Sequence, residues 1–121
     1  MKRAIVIGGS VGGLLAARVL AGYFERVTIV ERDRFPAIGA QRRGVPQGRH
    51  THGLLAGGRR ALDELLPGIS NGLIARGALD ADMTNGSRWF IEGGCFARRP
   101  SGVRDLRVSR PLLEGAVRER Q

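Results

Sequence analysis

The stretch IVIGGSVGGLLAARVL, from Ile5 to Leu20, sets four glycines in six positions between a β-branched run and an apolar helical pattern. Such a junction leaves few folds open. Ala4-Ile5-Val6-Ile7 predicts a short strand buried on both faces of a parallel sheet. Beyond the glycines, Leu14, Leu15, Val19 and Leu20, with Ala16 and Ala17 between them, recur at helical spacing. Val27-Thr28-Ile29-Val30 then gives a second β-branched run, reached through Tyr23, Phe24, Glu25 and Arg26. Strand, tight turn, helix and strand within about thirty residues is the length of one βαβ unit, whose crossover is nearly always right-handed.

The first residues also imitate a secretory signal, with a positive start and an apolar middle. Gly8, Gly9, Gly12 and Gly13 interrupt that middle and Arg18 closes it early, which argues against export. No run approaches the roughly eighteen apolar residues a spanning helix needs. The expectation is a cytoplasmic chain without a membrane span. A single cysteine, Cys95, rules out an internal disulfide framework, suits a reducing compartment, and reads as a small buried apolar residue.

The formal charge of +9 raises the question of nucleic acid, since clustered basic side chains release counterions from phosphates. Here Lys2 is the sole lysine, and the arginines scatter from Arg3 to Arg120 with only the pairs Arg42-Arg43, Arg59-Arg60 and Arg98-Arg99 close together. They predict a solvated surface and no nucleic-acid partner.

Past Glu31 the periodicity fades. Pro36, Gly39, Gly44, Pro46 and Gly48 make residues 32–49 an extended segment. A helix is predicted from about Thr51 to Leu66, weakened by Gly57-Gly58 and stopped by Pro67-Gly68. A shorter helix follows over Ser70–Arg76, with Asn71-Gly72 arguing for a late start. Trp89-Phe90-Ile91 and Leu106-Arg107-Val108 read as strands, separated by a turn-rich stretch from Glu92 to Val103. Ser109-Arg110-Pro111 opens a last helix, where proline at the first position costs no hydrogen bond.

In a dinucleotide-binding βαβ unit the first glycine permits the sharp exit from the strand, the second lets a pyrophosphate approach the backbone, and the third lets helix and strand pack closely. Gly8, Ser10 and Gly13 take these places, and Gly9, Val11 and Gly12 complete the turn. The small Ser10 still allows close approach, and its hydroxyl can donate to a phosphate oxygen. An anion would meet the free N–H groups and the partial positive end of the helix. Glu31 stands 23 positions after Gly8, at the end of the second strand, where a carboxylate accepts hydrogen bonds from ribose hydroxyls. The same charge disfavours a 2′-phosphate, with Arg32 and Arg34 acting in the opposite sense. Taken alone, these features leave FAD and NAD undistinguished.

Four segments together resemble the FAD-dependent monooxygenases of the aromatic-hydroxylase, para-hydroxybenzoate hydroxylase-like family: IVIGGSVGGL, VTIVER, RRGVPQ and VSRPLLEGAV. The resemblance implies a Rossmann-like α/β fold over residues 1–121, with the βαβ unit in 1–34 and further elements of the FAD domain in 35–121. It implies FAD as cofactor, NAD(P)H as electron donor and hydroxylation of a small organic substrate. By register, Arg42 would reach the cofactor, with Arg43 as the neighbouring candidate. Arg110, opening an R-x-x-L-x-x-x-V pattern with Leu113 and Val117, would do so too. The similarity covers the first part of such proteins, so the chain looks like an N-terminal portion of a larger oxidoreductase. A flavin-dependent halogenase, a geranylgeranyl-reductase-like flavoprotein and a non-catalytic nucleotide-binding fragment are the alternatives.

His50 and His52 make too thin a pair for a metal site, with no acidic or cysteine cluster beside them, so no metal is expected. Neither Ser10 nor Ser109 has a placed base, and no catalytic residue is assigned. Oligomeric state and substrate are not written in these residues.

Overall fold

The computed structural model describes residues 1–50 and 52–121. The chain opens with β1 (Arg3–Ile7), α1 (Val11–Leu20) and β2 (Arg26–Val30). β1 and β2 run parallel, in register from Arg3 opposite Arg26 to Ile7 opposite Val30, so this is the strand–helix–strand unit that the hydrophobic pattern predicts. A 3-10 turn (Pro46–Arg49) follows, then β3 (Gly53–Leu54), α2 (Ala56–Leu65), α3 (Ile69–Ala75) and β4 (Leu79–Asp82). β5 (Phe90–Ile91), β6 (Gly94–Cys95), β7 (Arg104–Arg107) and α4 (Arg110–Arg118) complete the chain. β3, β7 and β4 form an antiparallel sheet with β7 in the middle, and β5 pairs with β6 in a separate hairpin. Among the described residues the fold is mixed α/β, with one parallel pair and two antiparallel sheets.

The core gathers where the four helices meet β7. Leu14 of α1, Leu62 and Leu66 at the end of α2, Ile69 and Leu73 of α3, Leu106 of β7, and Leu113 and Val117 of α4 form one buried cluster. Burying each such side chain contributes about 1.5–3 kcal/mol. Because α1 and α4 share this cluster, the glycine turn and the Arg110 helix are fixed to a common base. Arginines reinforce it from outside: Arg18 Nε donates to the Leu65 carbonyl at 3.2 Å, and an Arg118 Nη2 donates to the Pro36 carbonyl at 2.7 Å. The expected solvated basic surface is therefore partly spent on internal ties.

Several expectations need correction. Within residues 1–121 β1 is covered on one face: Val6 is buried against α1, whereas Ile5 and Ile7 are 70% and 88% exposed. The β-branched run reports strand propensity, but α1 covers a single face of the two-stranded pair. The predicted helix over 51–66 starts at Ala56, because Gly53 and Leu54 pair with Arg107 and Leu106, and tertiary pairing outweighs helical periodicity there. Its proposed start at Thr51 lies outside the described residues. α3 runs through Asn71-Gly72 instead of beginning late, since Gly68 turns the chain with φ +79° and Asp63 accepts from the Ser70 N–H at 3.1 Å and hydroxyl at 2.6 Å. β4 and the short β6 lie in stretches not predicted as strands, and Cys95 is exposed on its hairpin. The last helix begins one residue earlier than expected, at Arg110, with Ser109 as N-cap accepting from Leu112 N–H at 3.4 Å.

Candidate functional site

The site begins where β1 ends. Gly8 turns the chain with φ +99°, a conformation side chains rarely adopt, and its N–H donates to the Val30 carbonyl at 2.8 Å, pinning the turn to β2. Gly13 then passes directly beneath. A Cβ there would overlap the Gly8 carbonyl oxygen and lie 2.9 Å from the carbonyl carbon. This is the close helix–strand approach expected of the third glycine. Gly12 is different, since a Cβ on it would meet no atom within 4 Å and would stand in the open cleft.

Ser10 occupies the N-cap position of α1 with an extended backbone, yet its side chain does not cap the helix. The hydroxyl donates to Glu114 Oε2 at 3.0 Å and accepts from Arg110 Nη2 at 3.1 Å. The first intrahelical bond is Leu14 N–H to the Ser10 carbonyl at 2.9 Å, and the first turn carries no acidic side chain. The N–H groups of Val11, Gly12 and Gly13 therefore lie before the first intrahelical bond, at the positive end of the helix dipole.

Glu31 follows β2 beside this turn. One carboxylate oxygen accepts from the Asp33 N–H at 3.0 Å; the other accepts from the Gly9 N–H at 2.6 Å and lies 3.1 Å from Arg42 Nη1. These two backbone donors, aided by Arg42 and opposed by partial burial, pull its pKa from 4.5 down to about 2. Arg42 itself is buried to 6% side-chain exposure among three carboxylates, with Nε donating to Glu114 at 2.7 Å and Nη1 lying 3.4 Å from Asp33. Burial opposes its charge, but Glu114 and Glu31 outweigh that and raise its pKa further. The Phe35 ring lies 5.7 Å from the Arg42 guanidinium and 4.9 Å from that of Arg118, and closes over Gly9.

Together these residues line an open cleft of about 330 Å³, bounded by Gly8, Ser10, Gly12, Gly13, Glu31, Arg42 and Gly44. Its helix end favours an anion, and its carboxylate end accepts hydroxyl donors. Arg110 contributes through Ser10, and its Nε is buried without a hydrogen-bond partner among the described residues. The structure thus brings together the expected Gly8, Gly9, Ser10, Val11, Gly12, Gly13, Glu31, Arg42 and Arg110. Arg32 stands on the cleft rim, 85% exposed and 3.8 Å from Asp33. Arg43 points elsewhere, into a hollow beside Pro46 and Arg49.

Sequence reasoning passed over Asp33, Phe35 and Glu114. Glu114 carried a readable signal: a carboxylate inside the otherwise apolar Leu112–Val117 run of a helix, four residues after Arg110. Asp33 and Phe35 had none, because the segment that holds them lacks periodicity. His50 and His52 flank the 3-10 turn's exit, where His52 Nδ1 lies 2.9 Å from the His50 carbonyl. Among the described residues no group of three His, Cys, Asp or Glu is placed to hold a metal ion, and no helix is long and apolar enough to cross a membrane.

No family model matches the chain. Over 74 residues, 61% of its length, it is 47% identical to Protein Rv3254 of Mycobacterium tuberculosis, and the match spans 16% of that protein. Its fold is similar to that of a variant of 2-methyl-3-hydroxypyridine-5-carboxylic acid oxygenase, with a TM-score of 0.66 at 22% identity. That likeness covers 99% of this chain and 29% of the oxygenase, so the chain spans less than a third of the length of either protein.

Proposed function

We propose that residues 1–34 bind the ADP half of FAD, and that residues 35–121 belong to the same domain of a Rossmann-like flavin-dependent monooxygenase. The observation that carries this reading is the uncapped start of α1, brought against the Gly8 turn by Gly13, with Glu31 beside it at the end of a parallel strand. The pyrophosphate would lie over Gly12 on the first-turn N–H groups, where the helix dipole and several hydrogen bonds act together. The fold likeness to an oxygenase supports the enzyme class.

The hydrogen-bond inventory fits a ribose at Glu31. Each carboxylate oxygen accepts about two bonds. Among the described residues Oε1 has one donor, Asp33, and so has room for one hydroxyl; Oε2 already has Gly9 and Arg42. A second hydroxyl requires Arg42 to leave Oε2, which frees that guanidinium for the ligand. A 2′-phosphate would face both Glu31 and Asp33, so the site favours FAD over NADP.

When bound, the flavin would supply the redox chemistry. This chain's residues would bind and orient the adenosine and pyrophosphate. NAD(P)H as donor, the hydroxylated substrate and the rest of the catalytic site belong to the same proposal at the level of the whole enzyme. Titration of the chain with FAD, ADP and NADPH by calorimetry tests the binding. FAD and ADP are expected to bind with NADPH weaker, and no binding of FAD or ADP at millimolar concentration would overturn it.

A further inference from the structure

A serine at a helix N-cap ordinarily accepts a hydrogen bond from the N–H two or three residues on, which satisfies the donors an anion needs. Ser10 does not: its hydroxyl donates to Glu114 and accepts from Arg110 Nη2 at 3.1 Å, which turns the side chain away from the helix. Glu114 Oε2 accepts a hydrogen bond from the Ser10 hydroxyl at 3.0 Å, and its Oε1 accepts one from Arg42 Nε at 2.7 Å. Glu114 lies on α4, 5% exposed, and reaches both partners because α4 sits very close to the 32–45 segment. Gly115 allows this approach: a Cβ on it would lie 3.1 Å from the Ile38 Cα and 2.9 Å from its Cγ2.

We propose that Glu114 is a positioning residue for anion binding at the α1 N-terminus, acting through Ser10 and Arg42 without touching the ligand. By drawing the Ser10 hydroxyl to itself, with Arg110 Nη2 donating to the same oxygen, it keeps the Ser10 side chain off the first-turn N–H groups of α1. By holding Arg42 at Nε, it leaves Nη1 as the movable end, which can pass from Glu31 and Asp33 to a ligand oxygen while the side chain stays anchored. The ligand class is a nucleoside diphosphate, so this inference rests on the binding reading above and adds the residue that keeps the site ready.

Three measurements test it. Glu114→Ala, with the isosteric Glu114→Gln as a second variant should the first fail to fold, is expected to weaken ADP binding about tenfold or more, the scale of one charge-assisted hydrogen bond. Released, the Ser10 hydroxyl should cap α1, seen by NMR as a shift of the Gly12 or Gly13 amide. In a Ser10→Ala background there is no hydroxyl to cap the helix, so the Glu114 substitution should cost markedly less ADP affinity. A purely structural role, or one through Arg42 alone, predicts equal losses in both backgrounds. Wild-type ADP binding that Glu114→Gln and Glu114→Ala leave unchanged, or losses equal in both backgrounds, would overturn this role and leave the dinucleotide reading intact. No ADP binding by the wild-type chain overturns both.

Discussion

Gly12 and Gly13 are neighbours in sequence, and the structure gives them opposite jobs, so alanine at each separates folding from binding. In Gly13→Ala the new methyl meets the Gly8 backbone carbonyl, with Val6 Cγ1 at 3.4 Å. Neither neighbour is the free end of a flexible side chain. Restoring ordinary contact requires α1 to lift from β1 by about 1 Å or more, which strips dispersion contacts along the helix. The adjacent Leu14 is only 1% exposed and anchors α1 in the core. Overpacking a rigid site costs about 1–3 kcal/mol, and two fixed backbone segments put this case near about 3 kcal/mol. For 121 residues the unfolding entropy is about 0.25 kcal/mol/K, so the midpoint should fall by about 12 °C. Gly12→Ala meets nothing within 4 Å and has ordinary backbone angles. Its methyl restricts the unfolded chain and should raise stability by about 0.4–1 kcal/mol, while projecting into the cleft and weakening ADP binding. Thermal unfolding by circular dichroism, with ADP titration alongside, reads both effects. A Gly13→Ala midpoint within about 3 °C of wild type, or a Gly12→Ala midpoint that falls with it, would refute the assignment.

Two further predictions follow from the carboxylates. Glu31 has a folded pKa of about 2 against an ordinary 4.5, so its contribution to stability is complete above about pH 4.5 and is lost as pH falls toward 2. An acid titration of the midpoint should therefore be shallower in Glu31→Gln over that window, and identical slopes would remove the Gly9 and Asp33 hydrogen bonds as the cause. Asp82 accepts from the N–H groups of Thr84, Asn85, Ser101 and Gly102 and so ties both ends of the 84–102 excursion to β4. Asp82→Ala should speed tryptic cleavage at Arg88 and Arg98 well before the midpoint changes, and unchanged cleavage rates would show that the excursion is held by other contacts.

Much of the glycine turn was legible because its constraints are local. A positive φ at Gly8, a close approach at Gly13 and a carboxylate at the end of β2 follow from backbone geometry over about thirty residues, the span of one βαβ unit. The exposure of Ile5 and Ile7 was not legible, since a β-branched run has the same propensity whether one or both faces are covered. The start of α2 was misread for a related reason: Gly53 and Leu54 take their conformation from pairing with β7, about fifty residues away. Arg42 was singled out by resemblance, but its partner Glu114 was not, because the two meet only after α4 returns to the glycine turn.

By itself, then, the sequence determined a strand–turn–helix–strand unit with an anion-favouring turn and an acidic residue at its edge, since hydrophobic period, glycine sterics and short spacing act within one segment. The tertiary structure alone decided how that turn is kept open. Ser10 lies 104 positions from Glu114 and Arg42 lies 72 from it. Their meeting depends on α1 and α4 sharing one buried core and on the missing Cβ of Gly115, and no local pattern records a contact made by packing two distant helices together.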